Sequence, residues 1–200
     1  MKRIPFEYAV LAISVGVTFA VATPARAQTS AVTDSKRIET SAEKLARGKY
    51  LVTVAGCNDC HTPWVMGPKG PEPDMSRMLS GHPENEKLPP PPAPQGPWLV
   101  SAAATNTAWS GPWGISYTAN LTPDAETGLG KWTQRNFTET IRTGRHMGRG
   151  RQILPPMPIP MYKHFTDADL EAIFSYLQTI PAVKNRVPEP LPATLPVAVK

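Results

Sequence analysis

The residues of this chain best suited to chemistry are two cysteines and a histidine in the stretch AGCNDCHTP. Cys57 and Cys60 are the only cysteines in the 200 residues, and His61 directly follows the second. On a helical turn, residues i, i+3 and i+4 lie on one face, so the three side chains can point at the same object. The spacing therefore indicates a site for one bound group.

Three kinds of site use such side chains. A structural zinc site needs a fourth ligand, and the chain has no second cysteine pair to supply it. A thioredoxin-like redox pair follows a strand in a βαβ unit, whereas the residues before Cys57 have a helical pattern. The third is a c-type haem, in which both thiols form thioether bonds and the adjacent histidine binds the iron. The sequence favours this covalent attachment of one haem c, with His61 as the proximal ligand.

Residues 1–27 are predicted to be a cleaved secretory signal peptide. The basic start MKR is followed by an apolar run over about residues 9–22 and by ARA at 25–27, a small-residue cleavage pattern. The alternative is an uncleaved membrane anchor, although the run is short for a spanning helix, which needs roughly 20 residues. Export would place the protein in the periplasm, attached to the membrane only if the signal segment stays uncleaved.

The remaining chain of about 173 residues is long enough for one domain with a hydrophobic core. Removing residues 1–27 takes away three basic residues and one acidic residue, so the net charge falls from +5 to +3. This mild excess, without basic runs between aromatic residues, does not indicate nucleic-acid binding. We predict a flexible lead-in over residues 28–40, a domain over 41–182 and a Pro-rich extended tail over 183–200.

Three helices are predicted to position the CxxCH group and its surroundings. The first begins after Thr40, where Glu43 three residues later completes a capping-box pattern, and it ends at Gly56. The second and third are predicted over about residues 133–144 and 166–180. Gly48, within the first helix, has no side chain and would let another helix approach closely. Residues 63–97 contain eleven prolines and are predicted as a long extended loop.

The opposite face of the iron determines what such a haem does. An open sixth position permits ligand binding or peroxide chemistry, whereas a methionine thioether closes it and favours electron transfer. The best candidates, Met157 and Met161, lie in ILPPMPIPMYKHFTDADL, where prolines hold an extended segment before the third helix. The other candidates are four methionines and three histidines: Met66, Met75, Met78, Met147, His82, His146 and His164.

Residues 46–182 resemble a class I c-type cytochrome. The segments GKYLVTVAGCNDCHTP, LSGHP, NLTPDAETGLGKWT, IRTG and LPPMPIPMY are similar to the cytochrome subunits and carriers of bacterial periplasmic alcohol, aldehyde and sugar dehydrogenases. The resemblance implies an all-α cytochrome c fold, with about three core helices around one haem and long Pro/Gly-rich loops. It implies that Met157 is the distal ligand, with Met161 as the alternative.

The implied function is electron transfer from a dehydrogenase toward an oxidase or another cytochrome, without a catalytic residue. The alternative is a haem enzyme or gas-binding sensor with a displaceable sixth ligand. The resemblance also implies that Asn120 and Trp132 lie near the haem and that Arg142 pairs with a propionate. A proline carbonyl would orient His61, as partners of metal-bound histidines commonly do.

Overall fold

The structure of the protein is a computed structural model, which describes residues 40–92 and 97–193. The predicted signal peptide and nearly all of the predicted lead-in therefore lie outside the described residues. Within the two described ranges, none of the helices combines the length and the apolar character that crossing a membrane requires.

The described residues form five α-helices and five short strands. The helices are α1 (Ser41–Val54), α2 (Cys57–His61), α3 (Gln134–Thr143), α4 (Ile159–Tyr162) and α5 (Asp167–Leu177). The strands are β1 (Trp64–Gly67), β2 (Gly70–Pro73), β3 (Ser101–Ala102), β4 (Ala108–Gly111) and β5 (Gly114–Tyr117).

The predicted all-α fold class is wrong, because two antiparallel sheets lie between α2 and α3 in the chain. β1 and β2 form a hairpin with Trp64 opposite Pro73, so part of the predicted extended loop is paired. β3, β4 and β5 form a three-stranded sheet in that order. Strands of two to four residues are too short to show an alternating pattern. Prolines are tolerated in β2 because a two-stranded hairpin leaves the outer edge of each strand unpaired.

The helix boundaries follow the capping signals in the sequence. The Thr40 hydroxyl accepts a hydrogen bond from the backbone N–H of Glu43, whose carboxylate accepts one from the backbone N–H of Thr40 at 3.0 Å. The helix ends before Gly56, whose left-handed φ of 68° turns the chain directly into α2. The predicted second helix is confirmed as α3, with Thr133 at its N-terminus and Gly144 at its C-terminus.

The hydrophobic core forms where α1 and α5 pack against each other, with α3 beside α5. A Cβ atom added to Gly48 would lie 2.0 Å from the carbonyl oxygen of Ala172 in α5. The prediction that Gly48 permits a close helix approach is therefore confirmed. The buried core side chains are Leu51, Val52, Leu79, Leu129, Phe137, Ile141, Leu170, Ile173, Phe174, Leu177 and Ile180.

Residues 183–191, which we call the strap, are bound along the domain. Asn185 is 1% exposed, and its side-chain amide donates to the backbone carbonyls of Ser80 (2.7 Å) and His82 (2.9 Å). Farther along, Leu191 exchanges two backbone hydrogen bonds of 2.9 Å with β5. The segment predicted as a tail therefore includes a part that is packed against the domain.

His82 lies in a loop but is fully buried, and its Nδ1 is 2.9 Å from the hydroxyl of Thr107. Burial lowers the pKa of His82, with nearby Glu86 opposing the shift. An unfolded chain, with a histidine pKa of 6.5, then binds a proton that the folded chain does not. The stability that neutral His82 contributes is complete above pH 6.5 and declines as the pH falls toward the folded-state pKa.

We therefore expect the free energy of unfolding to fall by up to about 1.4 kcal/mol per pH unit in that interval. Urea unfolding of the wild type and of His82→Gln across a pH series measures this slope. The difference between the two curves isolates His82 from the other histidines. Parallel curves would contradict the prediction.

Candidate functional site

The described residues enclose a cavity of about 480 Å³ beside the CxxCH turn. Its walls come from α2, the segment after β5, α3, the segment before α4, and α5, and most lining side chains are apolar. Cys57, Cys60 and His61 line it, and so does Met157, about a hundred residues farther along the chain. The fold thus brings the two predicted attachment cysteines, the predicted proximal histidine and one candidate distal methionine around the same space.

The two thiols lie on the single turn of α2 and are not joined by a disulfide. Burial raises the pKa of the Cys57 thiol to about 11 and also raises the pKa of Cys60. Redox-active cysteines have lowered pKa values, so this environment does not favour a thioredoxin-like pair. Among residues 40–92 and 97–193, no group of three or more His, Cys, Asp and Glu side chains is placed to hold a metal ion.

His61 is buried, and its Nδ1 lies 2.7 Å from the carbonyl oxygen of Ala119. Burial lowers the pKa of His61, which favours the neutral imidazole. In that form Nδ1–H donates to the carbonyl, and Nε2 keeps the lone pair that a metal ion requires. The expected proline carbonyl is therefore replaced by that of Ala119, on the segment after β5.

The candidate distal methionines differ sharply in their surroundings. Met157 is half-buried, packs against the core and lines the cavity. Met161 is 71% exposed and does not line it, because it lies on the outer side of α4. Met157 is the only methionine of the described residues in the cavity wall. Its assignment as the distal ligand stays a prediction that this geometry supports.

The candidate histidines also differ in whether they line the cavity. His146 lines the cavity, and its ring meets that of Trp132 edge-on with the centroids 5.1 Å apart. His82 and His164 are not part of the cavity wall. Among the described residues, His146 is therefore the one histidine besides His61 that lines the cavity.

Asn120 and Arg142, which are both implied to lie at the haem, differ in their position relative to the cavity. Asn120 lines the cavity, and its side-chain amide donates to the backbone carbonyl of Val183 at 2.8 Å. Arg142 lies outside the cavity wall. Its guanidinium donates to the carbonyl of Lys163 and to the carboxylate of Asp167, each at 2.5 Å. Arg142 therefore fastens the chain between α4 and α5, and this arrangement does not support a propionate role.

Sequence reasoning missed two parts of the cavity wall. Tyr162, at the end of α4, lines the cavity and donates a hydrogen bond from its hydroxyl to the carbonyl of Ala55. Residues 186–190 of the strap form another part, where Glu189 pairs with Arg151 at 3.0 Å. The motif LPPMPIPMY already contains Tyr162, but its partner is a backbone carbonyl 107 residues away, which has no sequence signature.

The residues around the cavity suit a covalently attached haem. Two thiols on one turn, an imidazole with a free Nε2 and a thioether on another wall are the donor set of a c-type haem with His/Met ligation. The mostly apolar lining and the volume of about 480 Å³ are within the range of pockets that enclose small molecules and cofactors.

Several characterised proteins are similar to this chain. A nicotinate dehydrogenase subunit of Pseudomonas putida is 29% identical over 169 residues, which is 84% of this chain and 11% of that protein. The fructose dehydrogenase cytochrome subunit of Gluconobacter japonicus is 27% identical over 152 residues, 73% of this chain and 24% of that subunit. The gluconate 2-dehydrogenase cytochrome c subunit of Pantoea cypripedii is 31% identical over 94 residues, 44% of this chain and 21% of that subunit.

No family model matches the chain. The matched part spans at most 24% of the length of these three relatives. At modest identity over much of its length, the chain is homologous to cytochrome c subunits of bacterial dehydrogenases. The resemblance inferred from its sequence motifs is therefore confirmed.

Proposed function

We propose that the protein is an exported monohaem c-type cytochrome that transfers single electrons, with its iron between His61 and Met157. Cys57 and Cys60 would hold the haem through two thioether bonds. The observation that carries this proposal is that a single cavity among the described residues has all four of these residues in its wall. A second support is the similarity to cytochrome subunits of dehydrogenases.

Each part of the wall has a role in this function. The haem supplies the Fe(III)/Fe(II) couple, whose potential depends on the axial ligands and on burial. The carbonyl of Ala119 fixes the orientation of His61, and Met157, which lines the same cavity, would supply the second ligand to the iron. His61 and Met157 would hold the iron as its two protein ligands, and this would leave no position for a substrate. The apolar wall limits the access of water.

The electron donor proposed for this protein is a dehydrogenase, and the acceptor is an oxidase or another cytochrome. The relatives are subunits of nicotinate, fructose and gluconate dehydrogenases, which supports a partner of that kind. The signal-peptide pattern in residues 1–27 supports a periplasmic location. In this role the chain is an electron-transfer subunit or carrier and performs no bond-making step.

Spectra of the purified holoprotein test the proposal. We expect the haem to stay with the wild-type chain after denaturation, because thioether bonds survive denaturation. The Cys57→Ser/Cys60→Ser double variant cannot form these bonds and should release its haem when it is denatured. The ferric protein is expected to show the long-wavelength charge-transfer band of an iron–thioether bond, and the ferrous protein to bind carbon monoxide weakly. Tight carbon monoxide binding without that band would instead indicate a haem enzyme or gas sensor.

A further inference from the structure

We propose that Tyr162 is a positioning residue that keeps the Met157 loop closed over the cavity by bonding to the CxxCH turn. The inference rests on the proposed function, because it takes Met157 as the distal ligand. It adds a residue outside the ligand set, one whose role is to control how often that ligand leaves the iron.

The contact joins the two halves of the proposed haem site. The hydroxyl of Tyr162 donates to the carbonyl oxygen of Ala55, which follows the last residue of α1 and stands two residues before Cys57. Carbonyls at a helix C-terminus lack partners within the helix, so the bond gives this one a donor. The distal segment is thereby tied to the backbone that presents both thiols.

Tyr162 is well placed to transmit this restraint to Met157. It is the last residue of α4 (Ile159–Tyr162), a single turn that begins two residues after Met157. Pro158 and Pro160 restrict the backbone over the same stretch. On the outer side, Arg142 donates to the carbonyl directly after Tyr162 in the chain. The segment is thus held from both sides, and Tyr162 holds it from within the cavity wall.

The surroundings of the phenol keep it a hydrogen-bond donor. Tyr162 is half-buried, and its ring lies against that of Phe165, with the centroids 5.4 Å apart. Burial raises the pKa of Tyr162 to about 12, with the nearby Cys57 and Cys60 adding to the shift. Thioether bonds would remove the thiol contribution but not the burial. The hydroxyl therefore stays protonated at neutral and moderately alkaline pH.

Removing the hydroxyl should loosen the segment without unfolding the domain. Tyr162→Phe preserves the ring and its packing against Phe165 but leaves the carbonyl of Ala55 without its donor. This carbonyl is partly buried, so the loss of its donor destabilises the closed position of the segment. Because the bond is local to the Met157 segment, we expect this destabilisation to appear mainly as more frequent opening of that segment.

Imidazole binding to the ferric holoprotein measures this opening, because imidazole binds only when the distal position is vacated. We expect the limiting rate at high imidazole to rise about tenfold in Tyr162→Phe, the factor that corresponds to about 1.4 kcal/mol. The long-wavelength charge-transfer band should also weaken. The matched control is Tyr50→Phe, since Tyr50 is 56% exposed and its hydroxyl bonds to none of the described residues. This control should behave as the wild type.

Urea unfolding followed by circular dichroism separates local opening from general destabilisation. The inference is supported if the imidazole rate of Tyr162→Phe rises by more than its loss of global stability accounts for. It is overturned if the rate is unchanged, or if it rises only in proportion to that loss. A wild type without the charge-transfer band would overturn the Met157 ligation and this inference together. A wild type with the band and an unaltered Tyr162→Phe would overturn this inference alone.

Discussion

Met157→Leu is expected to abolish the long-wavelength charge-transfer band of the ferric protein and to lower its reduction potential. Leucine preserves the apolar volume of methionine but has no sulfur to bind the iron. A thioether favours Fe(II), so its loss favours Fe(III). We expect a fall on the order of 0.1 V, a modest part of the roughly 0.8 V range over which axial ligands set haem potentials. Spectroelectrochemical titration of the holoprotein measures both effects.

Met161→Leu is the matched control, because it makes the same substitution four residues away on a side chain that is 71% exposed. Its spectrum and potential should equal those of the wild type. Loss of the band in Met161→Leu but not in Met157→Leu would reverse the assignment. If both variants keep a six-coordinate ferric spectrum identical to the wild type, His146 becomes the distal residue to replace, since it also lines the cavity.

Gly48→Ala is expected to lower the free energy of unfolding by about 2–4 kcal/mol. The added Cβ would lie 2.0 Å from the carbonyl oxygen of Ala172 and 2.8 Å from the Cβ of Tyr176. Neither neighbour is the movable end of a flexible side chain, so α1 and α5 must separate. This cost exceeds the gain of about 1 kcal/mol that alanine brings in a helix.

Ala46→Gly lies on the exposed side of the same helix and therefore measures the difference in helix propensity between alanine and glycine alone. It should lower the free energy of unfolding by about 1 kcal/mol. Urea unfolding of both variants gives the comparison. If Gly48→Ala proves more stable than the wild type, the close contact between α1 and α5 does not exist in solution.

The features that the sequence predicts correctly are those governed by residues close together in the chain. Thr40 and Glu43 begin α1 as a capping box, and Thr133 and Gly144 delimit α3, because caps depend on neighbours within one turn. The spacing of the CxxCH motif likewise places its side chains on one turn of α2. These parts needed no knowledge of the tertiary structure.

The features that sequence analysis misses depend on contacts between distant segments. The acceptor for His61 is the backbone of Ala119, and any residue type provides a carbonyl. The strands are too short for an alternating pattern, so pairing between them decides their structure. The strap is rich in proline and polar residues, but one buried side chain, Asn185, joins it to two carbonyls about a hundred residues earlier.

The strap also bears on the order of events in maturation. The two thiols and His61 lie within five consecutive residues, whereas the opposing wall comes from segments after residue 115, and the strap adds residues 186–190. In the proposed function, attachment of the haem would need only the local motif, whereas the cavity is complete only after the late segments are in place. A chain with that function could receive its haem while still open and then fold around it, and the bound haem would act as a template for the long-range contacts.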